Sequence, residues 1–389
     1  MKSLLVLGSS GSIGRQTLEV VRAQPGRLSV AGLAARGSWE LLAAQAQEFR
    51  PRFVALTDAE AARRLAPLLP LGTVLFSGPE AVLELCNAAA YDVAVHGIVG
   101  AAGLPASVAV LARGKDLALA NKESLVLAGA ELVELARTRG ATILPVDSEL
   151  CAIFQCLRGE SLERVRAVHL TASGGPFRDA DLATLEQATP AGALRHPTWS
   201  MGPRISIGSA TLMNKALEVL EVHHLFGVAP ENVHVWIHRQ SVIHSMVEFV
   251  DGSVMAQLGP PDMRGPLHYC LFHPERAPSS LRGFQLDLFA RLSFETVDPH
   301  RFPALALGYD CARRGGDSGA VLNGADEVLV EGFLAGKLRL TEIAPIAADV
   351  LAKRASPAQG VAAALRADRD ARALARLRID REERAASTP

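Results

Sequence analysis

Leu4-Leu5-Val6-Leu7-Gly8-Ser9-Ser10-Gly11-Ser12-Ile13-Gly14 decides how the rest of this chain reads. A short apolar run, Leu4–Leu7, has the length and composition of a buried strand. Helical spacing begins at Ile13 and continues to Ala23. Between them lie three glycines in the pattern GxxGxxG. Glycine lets a backbone turn tightly and approach a ligand closely, and a helix start offers free N–H groups to an anion. The strand–turn–helix context makes this a candidate dinucleotide loop, with Ser10, Gly11, Ser12 and Ile13 at the pyrophosphate. A tight strand–helix turn without a ligand is the plain alternative.

Outward from that loop the pattern repeats. Leu28–Ala34, Phe53–Leu56, Thr73–Phe76, Val93–His96, Leu117–Ala120 and Thr142–Val146 read as strands, with the helical stretch Trp39–Phe49 among the segments between them. Continuous apolar strands alternating with helices imply a mainly parallel sheet covered on both faces. From about Cys151 the pattern becomes α+β. Strands are expected at Val168–Ala172, Val233–His238, Ser245–Val250 and Ser253–Leu258. Asp251-Gly252 is a hairpin turn signal between the last two. Leu194–Pro203 has no periodicity and reads as a loop. After about Phe302 the chain is helical, ending in the charged stretch Arg366–Arg384. The expected class is α/β, with a Rossmann-like cofactor domain at 1–140 and an α+β catalytic and dimerisation domain at 141–275. A linker at 276–300 and a helical domain at 301–389 follow.

The bulk numbers narrow the function. The chain has 389 residues and is 49% hydrophobic, more than one ordinary core holds. Its formal net charge is −1 and its aromatic content 5%, which gives no reason to expect nucleic acid as a partner. No run reaches the roughly 18–20 apolar residues of a membrane helix. The five cysteines match neither a zinc nor a redox spacing, so they read as reduced core thiols of a cytoplasmic protein.

The end of the second strand selects the cofactor. An acid there usually meets the ribose 2′-OH of NAD. This chain has Ala34-Ala35-Arg36-Gly37-Ser38, with no acid and an arginine able to pair with a 2′-phosphate. NADPH is favoured, with Arg36, Gly37 and Ser38 near that phosphate. A solvated surface arginine is the alternative.

Polar residues cluster after later strands. Asp147 and Glu149 flank Ser148 where ligands bind in open α/β sheets, and two such carboxylates can converge on a hard cation. A helix cap is the simpler account. Ser209–Glu218, read as one helix, puts Asn214, Lys215 and Glu218 on one face. An exposed Lys–Glu pair is the simpler account there. Thr171–Pro176 offers a hydroxyl beside two glycines, a candidate anion nest. Asn121-Lys122-Glu123-Ser124 also follows an apolar strand.

Taken together these residues closely resemble the 1-deoxy-D-xylulose 5-phosphate reductoisomerase family. GSSGSIG, IVGAAGL (Ile98–Leu104), ANKESLV (Ala120–Val126), LPVDSE (Leu144–Glu149), SGGPF (Ser173–Phe177), RHPTWSMG (Arg195–Gly202), SATLMNKALE (Ser209–Glu218), QSVIHSMV (Gln240–Val247) and AQLGPPDMR (Ala256–Arg264) carry the likeness, in family order. The resemblance implies rearrangement and reduction of 1-deoxy-D-xylulose 5-phosphate to 2-C-methyl-D-erythritol 4-phosphate, a step of the non-mevalonate isoprenoid route. NADPH and a divalent cation (Mg²⁺, Mn²⁺ or Co²⁺) would be required. It implies Asp147, Glu149 and Glu218 as metal ligands, and Lys122, Glu149 and His196 as catalytic residues. Ser148 and Lys122 would contact the substrate. Ser173, Ser209, Asn214 and Lys215 would take its phosphate, and His196 and Trp199 would lie on a loop that closes over it. Asn121, Glu123 and Gly202 would contact the cofactor, and a homodimer is expected. His244 reads either as a neighbour of the substrate or as a packed core histidine.

Four positions depart from the family pattern: Pro203 where a basic residue is common, Gly208 for Asp or Asn, Ala216 for Gly, and Arg239 for Pro. The basic residue at 36–38 also comes one position early. A metal-independent NADP sugar-phosphate or semialdehyde dehydrogenase using Lys122, and an NADP-binding regulator, are the competing readings.

Overall fold

The structure, a computed structural model, describes residues 1–199 and 202–386. Its chain divides into two compact units, each made of separate stretches. The first comprises Met1–Asn121, Leu132–Cys151 and Asp262–Leu281; the second comprises Lys122–Glu131, Ala152–Pro261 and Arg282–Pro389.

The first unit is built on a seven-stranded sheet of β1 (Lys2–Leu7), β2 (Leu28–Ala35), β3 (Phe53–Leu56), β4 (Val74–Ser77), β5 (Val93–His96), β6 (Asp116–Leu119) and β7 (Ile143–Pro145). Every neighbouring pair is parallel. The order β4-β3-β2-β1-β5-β6-β7 reverses direction beside β1. Leu4, Leu5, Val6 and Leu7 are all 0% exposed, as a central strand covered on both faces requires. Helix α1 (Ser12–Arg22) follows β1 and buries Thr17, Leu18, Val20 and Val21. Helix α2 is Trp39–Phe49, within the span expected. The far stretch Asp262–Leu281 also belongs here. Its helix Arg264–Phe272 buries Leu267, Cys270 and Leu271, and Lys2 Nζ donates to His273 O at 3.0 Å.

The second unit holds a five-stranded sheet ordered β11-β10-β8-β9-β12. Its strands are β8 (Val165–Ala172), β9 (Val233–Ile237), β10 (Ile243–Phe249), β11 (Val254–Leu258) and β12 (Glu295–Thr296). Only β8 and β9 run parallel. The β10–β11 hairpin forms as expected, turning at Gly252 with φ +87°. Strand β12 was not legible, because two residues carry no alternation. Helix α3 (Lys122–Arg139) begins in this unit and is broken at Ala128 (φ −146°, ψ 41°). The C-terminal helices Ala304–Arg314, Ser318–Leu334, Ile343–Arg354 and Val361–Ala386 bear out the helical end.

One expectation is corrected. Ser209–Glu218 is not one helix. Helix α5 (Pro203–Thr211) and helix α6 (Met213–Phe226) are separated at Leu212, which is left-handed at φ +59° and buried. Burial of its side chain holds Leu212 in a region that costs a non-glycine residue roughly 1–2 kcal/mol. Helix α4 (Ser148–Cys156) links the two units' sequence stretches. All five cysteines are buried and none is in a disulfide. No described helix is long and apolar enough to cross a membrane.

Candidate active site

The glycine turn is built by close approach. Gly8 takes φ +85°, and a Cβ there would lie 2.9 Å from Gly97 C and O, beyond the end of β5. A Cβ at Gly14 would fall 2.4 Å from Gly8 O. Both positions therefore need glycine. Gly8 N and Ser9 N donate to Ala34 O, which fixes the turn to the end of β2. Gly11 and Ser12 are exposed, and Ser10 and Ile13 are half-buried. The N-terminus of α1 has no side-chain cap and no acid in its first turn. By contrast, the helix that starts at Ala59 is capped by Asp58, which accepts from Glu60 N and Ala61 N. An uncapped positive helix end beside exposed glycine backbone, at the point where strand order reverses, fits a pyrophosphate.

Arg36 and Ser38 are exposed beyond β2, and Ser38 precedes α2 without capping it. An acid does approach from one strand over: Asp58 Oδ2 would be 3.5 Å from a Cβ on Gly37. Sequence reasoning missed it because Asp58 follows β3, not β2.

Asn121 is 2% exposed, and its Nδ2 donates to Ile98 O at 2.6 Å and Gly100 O at 3.0 Å. Its amide thus fastens the Ile98–Leu104 segment. His96 supports the same segment, with Nε2 2.8 Å from Gly103 O and Nδ1 accepting from Ile98 N. Burial pushes His96 down to about 4, so the ring is neutral. No sequence signal marked His96.

Asp147 precedes α4, and its Oδ1 accepts from Glu149 N at 3.2 Å. This bond is the capping contact expected of an acid before a helix. Ser148, 7% exposed, donates from Oγ to Glu149 Oε2 at 2.6 Å.

In the second unit, Glu218 is the centre of a buried polar cluster. It is 1% exposed, so the pairing is no surface feature. Oε1 accepts from Lys122 Nζ at 3.2 Å and from Asn214 Nδ2 at 2.5 Å, and Oε2 accepts from Lys215 Nζ at 2.5 Å. The i, i+3 and i, i+4 spacing on α6 supplies two of these partners, and the first turn of α3 supplies Lys122.

Ser173, His196 and Ser209 form a second cluster. His196 Nε2 lies 2.9 Å from Ser173 Oγ and 3.1 Å from Ser209 Oγ. Its Nδ1 accepts from Thr198 N at 3.1 Å and Trp199 N at 2.8 Å. An accepting Nδ1 puts the proton on Nε2, which then donates to the hydroxyls. Burial, then the Arg178 charge, pushes His196 down to about 4. Gly174 and Gly175 are left-handed, and a Cβ on Gly175 would be 2.6 Å from Ser209 O. That close approach sets the Ser173 turn directly on α5. Trp199 tilts against the buried His244 with ring centroids 6.2 Å apart. Of the loop read at 194–203, Ser200 and Met201 lie outside the described residues. Its described part has neither helix nor strand until Pro203 opens α5, with exposed Gly202 at the N-cap.

The departures have local accounts. Pro203 stands at N1, where a missing N–H costs nothing. A Cβ on Gly208 would meet Asn214 at 3.4 Å, an ordinary contact, so nothing in the structure demands glycine there. Ala216 O would be 2.2 Å from a Cβ on Gly308, so the helix Ala304–Arg314 packs directly on its backbone. Arg239 bridges Asp179 (2.6 Å) and Glu295 (2.5 Å), tying the end of β9 to β12 and to the Ser173 turn's flank.

A doubly wound parallel sheet with a glycine turn at its reversal point, joined in one chain to a sheet-and-helix unit rich in buried acid, ammonium and hydroxyl groups, defines a dinucleotide-dependent oxidoreductase. Known proteins make this particular. Family models described as 1-deoxy-D-xylulose 5-phosphate reductoisomerase match residues 4–129, its C-terminal domain 143–226, and the DXP reductoisomerase C-terminal domain 258–374. The reductoisomerase of Anaeromyxobacter dehalogenans is 47% identical over 96% of each chain, and that of Cupriavidus metallidurans 49% identical over 93% of each. Crystal structures agree. A DOX-P reductoisomerase in complex with NADPH, fosmidomycin and magnesium matches with TM-score 0.92 at 38% identity, covering 98% of both chains. The Zymomonas mobilis enzyme in complex with NADPH matches with TM-score 0.91 at 38% identity, covering 97% of this chain and 99% of the other. The chain belongs to the 1-deoxy-D-xylulose 5-phosphate reductoisomerase family.

Proposed function

We infer that this chain converts 1-deoxy-D-xylulose 5-phosphate to 2-C-methyl-D-erythritol 4-phosphate with NADPH and a divalent cation, as a step of isoprenoid biosynthesis. Family membership across nearly the whole chain is the observation that carries the reading. The related crystal structures hold NADPH and magnesium.

The residues fit both groups. The uncapped, acid-free start of α1 and the exposed Gly11-Ser12 backbone suit a pyrophosphate. The carboxylates of Asp147, Glu149 and Glu218, assigned to the metal, are hard oxygen donors of the kind Mg²⁺ and Mn²⁺ take. When bound, the cation supplies Lewis-acid polarisation of neighbouring substrate oxygens, and NADPH supplies hydride. The chain's own groups do the rest. Lys122 brings an ammonium to Glu218 and to the oxygen charge that develops during carbon–carbon cleavage and re-formation. Ser148 orients Glu149 through its hydroxyl. His196, neutral with Nε2–H donating, holds the Ser173 and Ser209 hydroxyls to receive the substrate phosphate. Asn214 and Lys215 are assigned to the same phosphate, and phosphate binding supplies remote energy that orients the reacting end. Trp199 is assigned to the loop that excludes water. Arg36, Gly37 and Ser38 are assigned to the 2′-phosphate, and Asn121, Glu123 and Gly202 to the rest of the cofactor.

The enzyme's proposed setting is a cytoplasmic homodimer. Strand β11 supports the dimer: it is a sheet edge whose Val254, Met255 and Leu258 are exposed. The functional test is loss of NADPH absorbance on adding 1-deoxy-D-xylulose 5-phosphate and Mn²⁺. Turnover that survives complete chelation of divalent metal would instead favour a metal-independent dehydrogenase.

A further inference from the structure

Arg204 is the second residue of α5, directly after Gly202 and Pro203. Its guanidinium is buried in a set of acids. Nη1 donates to Glu123 Oε1 at 2.5 Å and to Glu327 Oε1 at 2.8 Å. Nη2 donates to Asn323 Oδ1 at 2.7 Å and lies 3.6 Å from Asp326 Oδ2. Behind these, Asn323 Nδ2 donates to Asp368 Oδ1 at 2.8 Å, and Arg372 joins Asp368 at 2.7 Å and Glu327 at 2.6 Å. The bonds close into a ring from Arg204 through Asn323, Asp368, Arg372 and Glu327 back to Arg204. The charged side chains that pair with Arg204 or close this ring are at most 19% exposed.

This placement does not serve the helix. A cation in the first turn opposes the positive helix end, and a buried guanidinium needs hydrogen-bonded counter-charges. The ring supplies them and, in doing so, fixes the guanidinium. Asp326 Oδ1 has no hydrogen-bond partner among the described residues, and burial pushes its carboxyl up to about 6. The same Nη1 that meets Glu327 also donates to Glu123. With Glu123 assigned to the cofactor and its neighbour Lys122 to the substrate, Glu123 is assigned to the reacting, nicotinamide side of NADPH. A carboxylate there can accept from the nicotinamide's carboxamide N–H.

We propose that Arg204 is a positioning residue: anchored by the Asn323–Asp368–Arg372–Glu327 ring, it fixes the Glu123 carboxylate for the nicotinamide end of NADPH. The proposal rests on the assignment of Glu123 to the cofactor. The test compares two ligands by titration on the metal-free enzyme, NADPH and adenosine 2′,5′-bisphosphate, which lacks the nicotinamide. Arg204→Gln should weaken NADPH by about tenfold, the loss of one well-oriented charged contact, and leave the bisphosphate unchanged. Arg204→Lys should recover most of that loss. Glu123→Gln should give the same selective loss, and adding Arg204→Gln to it should cost nothing more. A wild-type ratio of the two affinities in Arg204→Gln, or equal weakening of both ligands, would overturn the proposal. If Arg204→Gln does not fold, Glu327→Gln should show the same selective loss at about threefold, and a wild-type ratio there overturns it equally. A silent Arg204→Gln beside an impaired Glu123→Gln removes only this proposal. A silent Glu123→Gln removes the cofactor assignment of Glu123 and this proposal with it.

Discussion

The Gly8–Gly14 turn and the Glu218 cluster are both places for charge, made in opposite ways. The turn is backbone: close approaches that only glycine allows, a helix start with no side-chain cap, and exposed Gly11 and Ser12. The cluster is side chain: one carboxylate, 1% exposed, held by two ammonium groups and an amide. A backbone site tolerates almost no added atom but needs no particular chemistry around it. A side-chain site tolerates changes of shape but not of charge, because each buried charge depends on its partners.

That contrast orders the expected effects. Glu218→Gln should have the largest. It removes the charge that Lys122 and Lys215 share while keeping the shape, and turnover should fall by at least about a hundredfold with NADPH affinity nearly intact. Steady-state rates beside an NADPH titration check it, and near-normal turnover would remove the metal assignment. Gly14→Ala should act on the other site. Its Cβ would overlap Gly8 O and Ser9 Cα, both 2.4 Å away, at a cost of roughly 1–3 kcal/mol in unfolding free energy. Urea unfolding with and without NADPH measures both the stability loss and the weakened binding. Unchanged stability would mean the turn relaxes.

Much of the first site was legible, and of the second the Asn214, Lys215 and Glu218 face, which helical spacing gave. Strand β1, the glycine spacing and the parallel sheet follow from composition and periodicity, which are local. So did the β10–β11 hairpin, marked by Asp251-Gly252. The break at Leu212 was not legible, since nothing in Thr211-Leu212-Met213 departs from helical composition, and only burial of Leu212 holds it there. The pairing of Lys122 with Glu218 joins residues far apart in sequence, so local pattern could not give it; family resemblance pointed to both without giving their bond. Asp58 beside Gly37 is a contact between neighbouring strand ends that no single segment announces, and His96 turns back onto the loop after its own strand, a contact that periodicity does not mark. Arg204 carries no sequence signal, since its partners Glu123, Asn323 and Glu327 lie far from it in the chain.

Smaller effects sharpen the contrast. Arg36→Ala should weaken NADPH by about tenfold and NADH little, and equal effects on both would show that another group reads the 2′-phosphate. The effect of pH on stability should be smaller again. Burial pushes His96, His196 and His224 from 6.5 to about 4. Between those values the unfolded chain takes up protons that the folded chain refuses, so these three lower stability as pH falls through that window. Asp326, raised from 3.8 to about 6, acts in the opposite direction there. His169, His238 and His268 are pushed down by burial too, so the buried rings outweigh Asp326 and predict a melting temperature that declines from pH 6.5 to 4; a flat profile would show that the rings accept protons.

The central claim is that one enzyme both rearranges the sugar phosphate and delivers hydride to the aldehyde so formed. NADPH deuterated at the transferred position of its nicotinamide, incubated with 1-deoxy-D-xylulose 5-phosphate, Mn²⁺ and enzyme, tests it directly. The predicted product is a branched polyol phosphate carrying one deuterium on its new primary alcohol carbon for each NADPH consumed. Deuterium on the carbon of an unrearranged, linear product would contradict it.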